Sequence, residues 1–164
     1  MPYGSLRIIM ARDLDLARRQ ILAYPGDELP WMPVGGIENP GGVLGLHLAG
    51  NLQHYVGALL GGTGYRRDRE AEFARQEVPR TAIAGALEAA AQTVDEVLAR
   101  AEKQGLPVVF PEPLRGRRVG TTDFLIHLAV HLGYHLGQLD YHRRMVAPES
   151  GPVAGMSLEA LPEP

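Results

Sequence analysis

The chain has 164 residues, with 16 Lys+Arg against 19 Asp+Glu, a formal charge of −3 at pH 7, and no cysteine. That length fits one domain, and the charge offers no basic face for nucleic acid or an anionic membrane, so neither partner is expected. Without cysteine there are no disulfides, thiolate nucleophiles or Cys-held zinc or iron–sulfur sites, and any metal has to be held by histidine and carboxylate. The opening MPYGSLRIIMARDLD reaches Arg12 and Asp13 after a very short apolar stretch. It reads as neither a signal peptide nor a membrane span, and a cytoplasmic protein is the expectation.

Four helices are predicted in chain order. The first, over about 5–24, carries Leu6, Ile9, Met10, Leu14, Ala17 and Ile21 at mostly three- and four-residue steps. A loop rich in glycine and proline follows, from Pro25 to Gly42. The second helix, over about 40–60, is expected to open with Asn39 as cap and Pro40 in its first position, and to bury Leu44, Leu48, Leu52, Tyr55 and Leu59. Gly61-Gly62-Thr63-Gly64 stops it, and a charged run from Tyr65 to Arg80 reads as a solvated loop. The third helix, over about 80–104, follows Ile83, Leu87, Ala90, Val94 and Leu98 and ends at Gly105. The fourth spans about 121–146, and the only strand-like stretch, Val108-Val109-Phe110, is too short to define a sheet. These elements predict an all-α protein, a four-helix bundle with long loops over 1–146, followed by a proline-containing tail over 147–164.

The fourth helix carries the chemistry. From Phe124 to Leu136 it reads FLIHLAVHLGYHL, apolar almost all round, as expected for a helix packed on several sides. His127, His131, His135, Gln138 and His142 fall along one slowly drifting stripe that holds no charged residue, unlike an ordinary wet face. Two His four apart on a helix stand about 6 Å apart in height and can converge on one ion, whereas His127 and His135, about 12 Å apart, cannot share one. His131 belongs to either pair, and a third ligand has to come from elsewhere. Off this helix the histidines are His47 and His54. His47, flanked by Leu44, Leu46 and Leu48, is the better third ligand on burial, and His142 is expected near the exposed end of its helix. Gln138 and Asn51 are candidates to orient a ligand by hydrogen bonding, and so is His127. Arg66, Arg67 and Arg69 are either carboxylate binders or solvated charges.

The segments Gly45-Leu46-His47-Leu48-Ala49-Gly50-Asn51-Leu52 and His131-Leu132-Gly133-Tyr134-His135-Leu136-Gly137-Gln138-Leu139 resemble the two signature segments of the DinB/YfiT-like superfamily. Trp31, the Asn39-Pro40 entry and the stretch from Arg66 to Phe73 are similar to one subgroup, while Leu136 stands where that family commonly has arginine. The resemblance implies a four-helix bundle in which His47, His131 and His135 bind a divalent metal, and it implies a homodimer. It also implies an enzyme acting on a small molecule, foremost a transferase using a low-molecular-weight thiol. Three imidazoles suit zinc or nickel, and such an ion lowers the pKa of a thiol or water that reaches it. A metal-dependent hydrolase on the same residues and a non-catalytic, metal-binding or dimerising bundle are the alternatives.

Overall fold

The computed structural model describes residues 3–74, 77–153, 155 and 157–161. Five helices carry the chain: α1 (Tyr3–Leu22), α2 (Gly41–Leu52), α3 (Arg69–Ala74), α4 (Arg80–Gln104) and α5 (Thr121–Val146). Beyond Leu52 the rod of α2 continues without a break through a π-helical turn, Gln53–Ala58, into a final turn, Leu59–Gly61. Gly62 ends it in the left-handed conformation (φ 67), with its N–H on the Ala58 carbonyl. Among the described residues there are no strands. The Val108–Phe110 stretch makes one isolated bridge, Val109 to Gly120. Among the described residues no helix is long and apolar enough to cross a membrane.

The four long helices share one core. Leu6, Met10, Leu14, Ala17 and Ile21 of α1 are buried, as are Ile83, Leu87, Ala90, Val94 and Leu98 of α4, along the faces their periodicity predicts. Helix α1 packs along α4 and α5, and α2 lies against the same two. Gly45 explains how closely α2 can approach: a Cβ there would stand 2.6 Å from Ile83 Cγ2 and 3.1 Å from Ile21 Cδ1. The apolar stripe of α2 is fully buried through Leu44, Leu48 and Leu52 and only partly at Tyr55 and Leu59, which lie in or beyond the π turn.

Several expectations need correction. The first helix begins and ends two residues earlier than expected, and Tyr24 is buried beyond its end. Asn39 does not cap α2, because the helix starts at Gly41 and Pro40 takes the cap position with no side-chain bond. The run from Tyr65 to Arg80 is not simply a loop. Asp68 accepts the Ala71 N–H at 2.9 Å and starts the short helix α3, which lies on α2. Helix α5 packs against both α1 and α2 but leaves Ile126, Val130, Tyr134, Tyr141 and Met145 exposed. Of the tail over 147–164, residues 154, 156 and 162–164 lie outside the described residues.

His142 is fully buried rather than near an exposed end. Its Nε2–H donates to the Met32 carbonyl at 2.9 Å, and its Nδ1 accepts from the Tyr24 hydroxyl at 2.7 Å. Next to it Arg143 is also fully buried, with its Nε on Gln20 Oε1 at 2.6 Å and Nη1 on the Gly151 carbonyl at 2.9 Å. Nη1 also reaches Ser150 Oγ, and the guanidinium pairs with Asp140 at 3.4 Å. Each nitrogen of the buried cation thus has at least one acceptor.

Two predictions follow from this packing. Gly45→Val is expected to lower unfolding free energy by about 2 kcal/mol, read from urea denaturation, because the added methyls have no room between Ile83 and Ile21. Burial lowers the pKa of His142, with the Met32 bond opposing. The neutral ring therefore contributes stability above the ordinary histidine pKa of about 6.5, and that contribution is lost as pH falls below it. Urea unfolding compared between wild type and His142→Gln is expected to show wild type losing more stability than the variant on acidification.

Candidate metal centre

His47 points from the buried side of α2 toward α5, where His131 and His135 stand one turn apart. His47 Nε2 lies 3.4 Å from His131 Nε2, and His135 Nε2 lies 3.1 Å from the same atom. The His47 and His135 rings are 5.3 Å apart, centre to centre, and nearly perpendicular. One ligand atom from each of the three lies within 4.8 Å of the others. Four-coordinate zinc with bonds near 2.1 Å needs nitrogens about 3.4 Å apart. The cluster therefore has the spacing to hold a metal ion.

Hydrogen bonding decides which nitrogens are free. Nδ1 of His47 is 3.2 Å from Glu72 Oε2, and Nδ1 of His135 is 2.6 Å from Gln138 Oε1. An amide oxygen only accepts, so His135 Nδ1 carries the proton and its Nε2 presents a lone pair. His47 Nδ1 stands 3.2 Å from both the Glu72 carboxylate and the donor Arg67 Nη2, and the Nε2 atoms of His47 and His135 both face His131. His131 Nε2 can donate to one of them and not to both. Burial holds the His131 pKa down at about 4, helped by the charges of His135, His47, His127 and Arg67, so a second proton does not fill the gap. Burial lowers His135 as well, with the Gln138 bond opposing. Three convergent nitrogens, one of them the Nε2 lone pair of His135, could hold a cation.

Glu72 reaches His47 from α3. Arg67 clamps it with Nε on Oε1 at 2.7 Å and Nη2 on Oε2 at 2.6 Å, and both side chains are largely buried. Burial alone would raise the Glu72 carboxyl, but the hydrogen bonds and charges of Arg67 and His47 override it and leave the pKa below its ordinary value. Gly50, three residues past His47, makes room, since a Cβ there would stand 2.1 Å from Glu72 Oε1. Phe73 packs 5.1 Å from the His47 ring.

The other sequence candidates are distributed around this cluster. Gln138 contacts His135 directly. Asn51 is buried but bonds none of the three histidines, and its Oδ1 has no hydrogen-bond partner among the described residues. His127 is exposed, stacks on Phe124 at 5.9 Å and stands 6.3 Å from the His131 ring. His54 sits in the π turn against Tyr55 and is outside the cluster. Arg67 is neither solvated nor free, because it holds Glu72. Glu72 itself was not singled out from the sequence. The available signal was Asp68 followed by acidic Glu70 and Glu72, the composition of a capped first helical turn.

Two cavities border the cluster. One of about 650 Å³ is lined by His131, His127 and Asn51 together with Phe124 and Leu128 of α5. The other, about 580 Å³, is lined by His135, Gln138, Tyr134 and Glu38. Comparison of the chain with protein families, with curated proteins and with solved structures finds no match.

Ligand histidines whose second nitrogen loses its acceptor typically lose 10- to 100-fold in metal affinity. Glu72→Ala, which removes the acceptor, is expected to weaken zinc binding within that range, measured by competition with a chromophoric chelator, while the circular dichroism spectrum stays helical.

Proposed function

We propose that this protein is a divalent-metal-dependent enzyme of the DinB/YfiT-like kind, a four-helix bundle in which His47, His131 and His135 hold zinc or nickel. Its reaction, on this reading, joins a low-molecular-weight thiol to a second small molecule. The observation that carries the proposal is the set of three convergent Nε2 atoms, one of which, on His135, is kept as an acceptor by Gln138. The origin of the ligands, one from the second long helix and a pair four apart on the last, agrees with the pattern the sequence resemblance implies.

When bound, such an ion supplies an uncompensated positive charge that makes a nearby thiol or water more acidic. The chain's own residues set the conditions for that chemistry. Gln138 fixes the tautomer of His135, and Glu72 together with Arg67 sets the ring direction of His47. Arg67 would add a competing cation beside the site, but its charge is matched by Glu72 at 2.6 Å. No carboxylate joins the three histidines among the described residues.

Two separate cavities, one at His131 and one at His135, favour a reaction with two organic substrates. A hydrolase on the same residues needs one such pocket and water. In the transfer, the thiol releases its proton to solvent and its sulfur bonds to an electrophilic carbon of the second substrate. The leaving group departs with the electron pair of the bond it loses.

Protein purified without a histidine tag and reconstituted with zinc or nickel is expected to bind about one ion per chain, as three ligands on one centre require. It is then expected to consume an alkyl halide only when a thiol from a panel is present. His131→Ala is expected to lose both the ion and the turnover while keeping a helical spectrum. Turnover without thiol would replace this reading with the hydrolase, and failure to take up metal would leave a non-catalytic bundle.

A further inference from the structure

The larger cavity has features that metal binding does not use. Leu114 and Arg117 exchange both backbone hydrogen bonds, at 2.8 and 2.9 Å, closing a two-residue reverse turn. Its central residues, Arg115 and Gly116, have φ of 48° and 78°, the backbone pattern whose twist suits tight hairpins. Glycine, asparagine or aspartate adopts positive φ at least cost, and the turn itself gains nothing from an arginine. Arg115 and Arg117 both line the 650 Å³ cavity. Among the described residues neither guanidinium has an acidic partner or a hydrogen bond. One carboxylate, Asp123, lines the same cavity, so the wall keeps an excess of positive charge.

A second observation is independent of the turn. Asn51, 7 % exposed, lines this cavity with its Oδ1 unpartnered. A buried acceptor without a donor is costly, and a bound molecule carrying an N–H or O–H would satisfy it. The rest of the wall is largely apolar, with Phe124 and Leu128 buried beneath it. The volume is in the range of small-molecule sites.

The geometry points to a binding site for a small carboxylate-bearing molecule with an apolar body. Arg115 and Arg117 take the carboxylate, which a guanidinium fork matches with paired hydrogen bonds. Phe124 and Leu128 take the body, Asn51 accepts from a donor on it, and the far end lies beside His131. The inference deepens the proposed function by naming the class of its second substrate. It rests on that reading only for what happens at His131, and the pocket stands without the metal.

Calorimetric titration with phenylacetate, phenylpropionate and phenylbutyrate, each beside its amide and its amine, tests the inference on metal-free and zinc-loaded protein. The best carboxylate is expected to bind at least about tenfold tighter than its amide or amine. The Arg115→Asn/Arg117→Gln variant is expected to lose about that factor in the metal-free protein, where direct contact of carboxylate with an ion plays no part. Asparagine tolerates positive φ and glutamine keeps the backbone bonds of the turn, so helical content and zinc uptake are expected to stay at wild-type level. A carboxylate preference that appears only with zinc, or that survives the double substitution, overturns the inference, as does the absence of preferential binding across the series. Normal zinc uptake in that case leaves the metal reading standing, whereas arginine-dependent binding without zinc uptake would sink the metal reading and keep the pocket.

Discussion

The buried ion pair between Arg67 and Glu72 is the constraint on which the candidate site depends. Pairs of this kind seldom add net stability, because the cost of desolvating two charges is close to what their attraction returns. Here the pair has a directional effect. Arg67 keeps Glu72 ionised and in place, both groups stand against Nδ1 of His47, and the ring is thereby held with its Nε2 facing α5. The contact needs α3 to lie directly on α2, which Gly50 permits by having no side chain at that point. A charge pair in a connecting segment thereby governs the chemistry of a histidine on another element.

Helix α5 shows how environment separates residues of one type. His142 is fully buried, and both of its ring nitrogens are satisfied, one by Tyr24 and one by Met32. It has nothing left to offer a ligand and serves to bind α5 to the segment after α1. His131 and His135, two to three turns earlier, are only half-buried, and their nitrogens are not all paired. The difference between a structural histidine and a candidate ligand lies in this residual hydrogen-bonding capacity more than in burial.

Much of the architecture was legible in apolar spacing. The stripes of α1 and α4 turn inward except at Ile9, which is only partly buried, and Gly62 and Gly105 end their helices as positive-φ glycines should. The triad was legible too, because His131 and His135 share a helical face and His47 lies in an apolar run. Interactions between distant segments were not. Glu72 sits 25 residues from His47, and nothing local distinguishes a solvated loop carboxylate from one folded back onto a ring nitrogen. The burial of His142 likewise depends on Tyr24 and Met32, more than a hundred residues away. The π turn at Gln53–Ala58 shifts the register of α2 beyond Leu52, so a stripe drawn at 3.6 residues per turn holds only up to that point.

Arg143 sets a practical boundary for shortening the chain. Its guanidinium is sealed from solvent and draws two of its hydrogen bonds from Ser150 and Gly151, beyond the end of α5. Trimming the polypeptide back to the last helical residue would leave this positive charge with only Gln20 and Asp140 as partners and part of its hydrogen bonding removed. The few residues after Val146 are accordingly part of the folding unit, and a minimal version of this domain has to carry them.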